Sequence, residues 1–186
     1  GFLNRRISGS IDVYQAQTTD VLVSRAIPPT TGYPSVWTNI GAIDNKGIEL
    51  GLTTINLEGR FNWKTDFVFS LNRDKITKLY GGKNDNDVGN SWFVGQPITA
   101  IYDYQMGGGL WSEQELYSGK TLNNWYPGQF KYVDQNNDGI IEPNSDRTII
   151  GNQAPNYRVS LSNTLSYKNF SFSFFLNSIQ GGNGYY

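Results

Sequence analysis

The sharpest candidate for chemistry in this sequence is a run of oxygen-bearing side chains at alternate positions. Residues 134–139 read D-Q-N-N-D-G, which matches the opening of a calcium-binding loop. Carboxylate and amide oxygens suit a hard cation, and Gly139 permits the sharp turn that such a loop needs. The sequence therefore predicts Ca²⁺ as a cofactor, with these candidate ligands: Asp134, Asn136, Asp138, the carbonyl group of Ile140, Glu142 and Asp146.

The second half of this loop departs from the helix-flanked calcium motif. Its twelfth position is Ser145, the nearest acid, Asp146, comes one residue later, and Pro143 interrupts the exit. The same residues also suit a metal-free turn, in which Asn and Asp side chains accept hydrogen bonds from nearby backbone amides. Both alternatives stay open, and in either case we expect the motif to shape a loop and not to perform catalysis.

Aromatic residues form the second group of candidates, because aromatic rings stack on sugar rings and pack against protein partners. We expect ligand or partner contact from four of them, although they could instead pack a long connection onto itself: Trp92, Trp111, Trp125 and Tyr126.

Composition excludes several classes of function. The 186 residues contain neither Cys nor His, which removes thiolate nucleophiles, thiolate metal sites and the commonest general base. A formal net charge of −1 without a basic run gives no support for nucleic-acid binding. Glu113 and Glu115 have the spacing of a solvated loop. The sequence therefore predicts a protein that is not an enzyme.

Period-two alternation of apolar and polar residues dominates the rest of the chain. Around residues 66–72, for example, Phe67, Phe69 and Leu71 alternate with polar side chains, with Val68 as the only exception, and in the fourth such segment only Asn163 interrupts the apolar positions. Such alternation is typical of antiparallel strands with one apolar face. The predicted strands lie near residues 3–17, 43–57, 61–74, 156–167 and 170–180.

The connections between these strands alternate between short and long. Tight turns join the second strand to the third and the fourth to the fifth, whereas long segments, residues 18–42 and 75–155, join the others. Outer-membrane barrels have this pattern, with brief periplasmic turns and long extracellular loops. We therefore predict that residues 1–186 are all-β and form part of one transmembrane β-barrel. Five strands cannot close a barrel, which needs about eight.

Two alternatives stay open at this point. A secreted, calcium-stabilised β-sandwich that binds glycans would also have alternating strands with aromatic residues. A glycoside hydrolase β-domain would require two acids that converge in a cleft.

Several blocks in order resemble the C-terminal barrel half of SusC/RagA-type TonB-linked outer-membrane proteins. The resemblance runs from about Asn4 to Gly182. Its main blocks are N-I-G-A-I-D-N-K-G-I-E-L at 39–50, L-N-R-D-K-I at 71–76, V-G-Q-P-I at 94–98, P-G-Q-F-K-Y-V-D at 127–134 and D-R-T-I-I-G at 146–151.

This resemblance implies a barrel of about 22 strands around a plug domain, in the outer membrane of a Gram-negative bacterium. It implies import of oligosaccharides or peptides, a SusD-like surface lipoprotein as partner, and contact with outer-membrane lipid. Energy would come through TonB, which would engage an N-terminal region and plug that this stretch of sequence does not contain.

Overall fold

The computed structural model describes residues 1–39, 41–79, 86–119 and 126–182. They divide into two compact units, one made of Gly1–Thr99 with Asn152–Tyr186 and the other of Ala100–Gly151. The strands in chain order are β1 (Ile7–Thr19), β2 (Leu22–Ala26), β3 (Ser35–Asn39), β4 (Ala42–Leu57), β5 (Phe61–Lys78), β6 (Ala100–Tyr104), β7 (Met106–Leu110), β8 (Phe130–Tyr132), β9 (Arg147–Asn152), β10 (Tyr157–Tyr167) and β11 (Phe170–Gln180).

The first unit is built on one antiparallel sheet with the strand order β1-β4-β5-β10-β11. The short turns β4–β5 and β10–β11 lie at the same edge of this sheet, because Phe61 at the start of β5 pairs with Tyr167 at the end of β10. We call this the turn edge. The long connections leave from the opposite edge, which we call the loop edge.

The structure corrects the predicted strand bounds. The first strand begins at Ile7 and not near residue 3, because Leu3, Asn4 and Arg5 all have positive φ and form a turn that pairs Phe2 with Ile7. The third predicted strand continues to Lys78. The long connections also contain regular structure, namely the β2–β3 pair in 18–42 and the strands β6 to β9 in 75–155.

Register places apolar and polar side chains on opposite faces of the main sheet. One row across it is Gly9–Leu52–Phe67–Leu161–Leu176, and the next residues along each strand point the other way. The apolar face consists of Ile11, Val13, Ile48, Leu50, Leu52, Phe67, Phe69, Leu71, Val159, Leu161, Leu165, Phe172 and Leu176. The opposite face, which we call the polar face, also carries the apolar Ile55, Val68, Phe175 and Ile179. Its polar residues are Ser8, Ser10, Asp12, Tyr14, Glu49, Thr53, Asp66, Ser70, Asn72, Arg158, Ser160 and Ser162.

The apolar face is not covered by a second sheet within the described residues. Val13 is 74% exposed and Phe172 is 64% exposed. A β-sandwich would bury such side chains between its two sheets, so this face argues against that alternative.

A short hydrogen-bonded chain lets polar residues sit on the apolar face. Asn163, only 4% exposed, accepts hydrogen bonds through Oδ1 from Trp63 Nε1 at 2.8 Å and from Thr65 Oγ1 at 2.6 Å. Thr65 in turn accepts from Asn56 Nδ2 at 2.7 Å, and Asn56 Oδ1 accepts from Thr54 Oγ1 at 3.0 Å. The Asn163 oxygen and the other groups named in this Asn163 cluster are therefore hydrogen-bonded, which offsets the cost of burying them.

Backbone geometry explains part of the 39–50 block. Asn39 Oδ1 accepts a hydrogen bond from the Gly41 amide at 2.7 Å, and Asn39 Nδ2 donates to Asp20 Oδ1 at 2.6 Å. Gly41 has a φ of +112°, and a Cβ there would lie 2.2 Å from the carbonyl oxygen of Lys78. Only glycine combines this backbone conformation with such a close approach of the neighbouring strand.

The second unit pairs β6 with β9 and β7 with β8. Its helix α1 (Glu113–Tyr117) begins with a capping box between Ser112 and Glu115. Among the described residues no helix is both long enough and apolar enough to cross a bilayer.

The Asn163 cluster predicts a specific cost of mutation. Asn163→Ala should lower the free energy of unfolding by about 1–3 kcal/mol, because Trp63 Nε1 and Thr65 Oγ1 lose their acceptor. Urea titration of the intact protein, monitored by the difference in gel mobility between folded and unfolded protein, measures this. Thr164→Ala, one residue along on the exposed opposite face, should stay within about 0.5 kcal/mol of the wild type. Equal effects of the two substitutions would contradict a role for the cluster.

Candidate functional site

The polar face forms a continuous wall whose side chains are fixed by the sheet. Tyr14, Gly47 and Asn72 lie in one row across β1, β4 and β5. The Tyr14 ring lies over Gly47, where a Cβ would be 2.2 Å from its Cζ atom, and its hydroxyl donates to Asn72 Oδ1 at 3.2 Å. Glycine here lets an aromatic ring lie flat along the wall.

Charged side chains project from this wall into solvent. Asp12 and Glu49 are directly opposite each other, and Arg158 lies in the same row two strands away. Like charges in directly opposed positions destabilise a sheet, and no ion pair of either carboxylate is found in the described part of the chain. Nearer the turn edge, Lys64 pairs with Asp66 at 2.9 Å. The wall therefore presents hydrophilic and charged groups, as a surface in contact with water or a polar solute does.

At the loop edge, residues 86–98 pack onto the end of this wall. The amide of Ile76 donates to the Gln96 carbonyl at 2.9 Å, and the Gly95 amide donates back to the Ile76 carbonyl at 2.8 Å. Asp74 Oδ2 accepts from the Ile98 amide at 2.8 Å. Backbone hydrogen bonds thus join the end of β5 to residues 86–98.

Trp92 belongs to the small core that fixes this segment. Ile76 and Leu79 are fully buried there, and Trp92 packs against them half-buried, together with Val21, Val94 and Ile98. Its position gives Trp92 a packing role. Ligand contact by its remaining exposed part stays a prediction.

Trp111 also packs locally, in the second unit. The Lys131 ammonium group lies 5.0 Å from the centre of its ring, and Lys131 also forms an ion pair with Glu115. That hydrogen bond, together with those from Ser112, lowers the pKa of Glu115 to about 2. The Trp111 backbone bonds to Gly128 and Gln129, while its indole Nε1 is buried without an acceptor among the described residues.

Tyr126 and Trp125 are the other two aromatic residues from which we expect ligand or partner contact. Tyr126 is 65% exposed, so its ring is available to a ligand or partner. Trp125 lies outside the described residues.

The D-x-N-x-D-G loop is closed by hydrogen bonds from its own backbone. Asp134 Oδ1 accepts from the Asn137 amide at 2.7 Å, and Asp134 Oδ2 accepts from the Gly139 amide at 2.8 Å. Asp138 Oδ1 accepts from the Ile140 amide at 2.8 Å, and Asn136 Nδ2 donates to Asp138 Oδ2 at 2.8 Å. These are the contacts of the Asx turn that the sequence left open as an alternative.

Asp146 ties the far end of the loop to its beginning. Its fully buried carboxylate accepts hydrogen bonds from the amides of Glu142 at 2.8 Å and Gln135 at 2.9 Å, and from Ser145 Oγ at 2.7 Å. The Glu142 amide does most to lower the pKa of Asp146, with Ser145 and Gln135 acting in the same direction against burial. Asp146, which lies one residue beyond the twelfth position of the calcium-loop motif, therefore acts as a structural hydrogen-bond acceptor.

Within the described residues no three Cys, His, Asp or Glu side chains are grouped in a way that could hold a metal ion. The predicted ligands Asp134, Asn136, Asp138 and Ile140 share one turn, whereas Glu142 contributes its amide to Asp146. Calcium binding stays a prediction.

Comparison with known proteins identifies the family. The family described as "TonB dependent receptor-like, beta-barrel" matches residues 2–180 of this chain. The chain belongs to this family. The predicted membership and fold class, part of a TonB-dependent receptor barrel, are thereby confirmed.

Individual relatives agree with this membership. The chain is 33% identical to TonB-dependent receptor P26 of Formosa agariphila over 98% of its own length and 19% of that protein. It is 31% identical to TonB-dependent receptor SusC of Bacteroides thetaiotaomicron, over 100% of this chain and 19% of that one. The chain thus spans about a fifth of the length of these family members.

Solved structures show the same fold. The RagAB peptide importer in its open-open state superposes with a TM-score of 0.71 at 25% identity, covering 96% of this chain and 19% of that chain. A second structure, of the RagAB peptide transporter, gives a TM-score of 0.73 at 24% identity, over 95% of this chain and 19% of that chain.

Sequence reasoning did not find several contacts between side chains that shape these surfaces. The Tyr14–Gly47–Asn72 row and the contact between Lys131 and Trp111 join positions far apart in the sequence. The only sequence signal for the first is a glycine inside a strand pattern, which often marks a close approach.

Asp146 predicts a pH-dependent loop. Because its pKa is lowered in the folded state, its stabilising effect is complete above the ordinary carboxyl pKa of about 4 and is lost as the pH falls through the lowered value. The protection of the Gln135 and Glu142 amides, measured as hydrogen exchange relative to the intrinsic rate at each pH, should therefore fall on acidification below about pH 4. Asp146→Asn should lower this protection already at pH 7 and remove most of its pH dependence. Glu113→Gln, in the first turn of α1, should change neither; identical profiles for all three proteins would refute this role of Asp146.

Proposed function

We propose that this chain is part of an outer-membrane importer in which the apolar face contacts lipid and the polar face lines the lumen. The observation that carries this proposal is the height of the apolar face. From Phe61 to Leu71, β5 rises by about 33 Å at about 3.3 Å per residue. A strand tilt of about 40° reduces this to about 25 Å across the membrane, which is the height of the apolar band of outer-membrane barrels.

The ends of this band support the same orientation. Aromatic residues gather at the turn edge, where Phe61, Tyr167 and Phe170 lie side by side, as in the aromatic girdles of such barrels. The short turns would then face the periplasm, and the long connections would face the outside.

Family membership extends the proposal to the whole protein. We infer import of oligosaccharides or peptides, energised through TonB by a part of the protein that lies outside this chain, with a SusD-like lipoprotein as surface partner. A relative named SusC and the RagAB peptide importer support this class. The protein would act in a Gram-negative outer membrane as a transporter and not as an enzyme.

Single cysteines test the orientation, because this chain contains none of its own. In the intact protein, with any other cysteines replaced by serine, Tyr126→Cys should react with a membrane-impermeant maleimide on whole cells. Lys168→Cys, in the β10–β11 turn, should react only after the outer membrane is permeabilised. Labelling of Lys168→Cys on intact cells would contradict the proposed topology.

Import itself is tested by deletion of the gene, which should abolish growth on one of the two nutrient classes, oligosaccharides or peptides, when that class is the sole nutrient. Normal growth on both would contradict import.

We also propose calcium as a ligand of the 134–146 loop, because its oxygen donors suit a hard cation. Asp138→Asn provides a sharp test, since an amide oxygen can still accept from the Ile140 amide while the charge is lost. Millimolar calcium should raise the thermal midpoint of the intact wild-type protein relative to chelator, and should leave that of Asp138→Asn unchanged. In chelator the variant should be only slightly less stable than the wild type, because it loses only the exposed hydrogen bond from Asn136 Nδ2. No calcium response in the wild type would leave the metal-free turn as the correct account.

A further inference from the structure

Basic side chains form a row directly above the apolar face at the loop edge. Val13, Ile48 and Leu71 are the last apolar row of β1, β4 and β5. The next row on the same face is Gln15–Lys46–Arg73, and the one beyond it is Gln17–Asp44–Lys75. Three cations therefore follow the apolar face within two rows.

The last apolar row and the Gln15–Lys46–Arg73 row line a surface groove of about 470 Å³. Its apolar part is formed by Val13, Ile48 and Leu71, and its polar end by Gln15, Lys46 and Arg73. The groove thus has an apolar floor that leads along the strands to a basic rim. This arrangement fits a molecule with an acyl chain at one end and an anionic group at the other.

The basic groups at the rim outnumber the acids beside them within the described part of the chain. Lys46 and Arg73 are directly opposite each other and both exposed, an arrangement that destabilises a sheet unless an anion lies nearby. No ion pair of Lys46, Arg73 or Lys75 is found there. The one acid in these two rows, Asp44, is directly opposite Lys75 and accepts a hydrogen bond from Gln17 Nε2 at 2.9 Å, so the two rows together carry three cations and one anion.

Arg73 is held in place with donors to spare. Its Nη1 donates to the carbonyl oxygens of Asn72 at 2.9 Å and Asn156 at 2.8 Å. A guanidinium group has five N–H donors, and no hydrogen bond of its Nε or Nη2 is found among the described residues. Such a fixed fork is suited to phosphate oxygens.

We propose that this groove binds lipid A, the phosphorylated and acylated disaccharide of the outer leaflet. A phosphate would contact Lys46 and Arg73 at the rim, with Lys75 in the next row as a third cation. An acyl chain would lie on Val13, Ile48 and Leu71. The choice of lipid A rests on the proposed function, because only that orientation places the loop edge in the outer leaflet. Long basic side chains at the end of an apolar band reach the headgroup region in this way.

Binding to the intact, delipidated protein in detergent tests the proposal. The probe is bis-phosphorylated lipid A, measured by native mass spectrometry beside its dephosphorylated form. The double variant Lys46→Gln/Lys75→Gln should bind lipid A roughly 30-fold more weakly, since each basic residue near an anionic lipid surface contributes about a factor of five. Lys168→Gln, at the turn edge, is the matched control and should bind as the wild type does. Arg73 stays unchanged because it also anchors the chain before β10.

Each outcome decides one point. Equal affinity of wild type and double variant, or equal binding of dephosphorylated lipid A, would overturn the phosphate contact. Equally tight, Lys46-dependent binding of phosphatidylglycerol would overturn the choice of lipid A. An unchanged folded-state gel mobility of the double variant shows that it is a folded barrel. The cysteine-labelling experiment reports on orientation independently, so failure of the proposed topology is distinguishable from failure of lipid binding in detergent.

Discussion

Cross-strand backbone hydrogen bonding determines where each side chain of the main sheet can point. Once β4 and β5 pair in the register that puts Leu52 opposite Phe67, all their neighbours are assigned to one face or the other, because side chains alternate with a period of two. A slip by one residue would move Phe67, Phe69 and Leu71 to the polar face and Asp66, Ser70 and Asn72 to the apolar face. A membrane-spanning sheet tolerates no such slip, since its backbone and side-chain polar groups have no water to bind in the hydrocarbon.

The same constraint explains the polar residues that the apolar face does contain. Asn163 is accommodated because Trp63 and Thr65, on the neighbouring strand, direct their donors at its oxygen. Asn56 joins this cluster from β4, at the register shift between Ile55 and Leu57. Away from the main sheet, side-chain acceptors take the place of cross-strand backbone hydrogen bonds. Asn39 supports the entry to β4, and Asp134 and Asp146 close the loop between β8 and β9.

Sequence pattern was sufficient for the long strands and insufficient for the connections. The alternation around Phe67 and Leu161 follows from a requirement that acts on every residue of a two-faced sheet, so it is visible locally. The partner of Asn163 is not, because Trp63 is 100 positions away. β6 to β9 are three to six residues long, too short for alternation to mark. Trp92 and Trp111 lie in a long connection, where aromatic residues suggest contact with a ligand or partner. The groups they pack against come from separate segments of the chain, so the sequence around each tryptophan does not reveal them. Asp146 was expected as a metal ligand that was out of place by one residue, and its burial among backbone amides supplies a structural reason for its position.

A single orientation of the main sheet accounts for the charged rows on both of its faces. If the apolar face contacts lipid, the row of Asp12 and Glu49 must face the lumen, and the row of Lys46 and Arg73 must lie where hydrocarbon gives way to headgroups. Each pair of like charges is unfavourable in isolation, yet each then lies where a different medium compensates it. Water screens the carboxylates on the lumen side, while anionic headgroups neutralise the cations on the lipid side. The charge pattern is therefore consistent with one orientation of the sheet, the same one that the height of the apolar face and the aromatic residues at the turn edge favour.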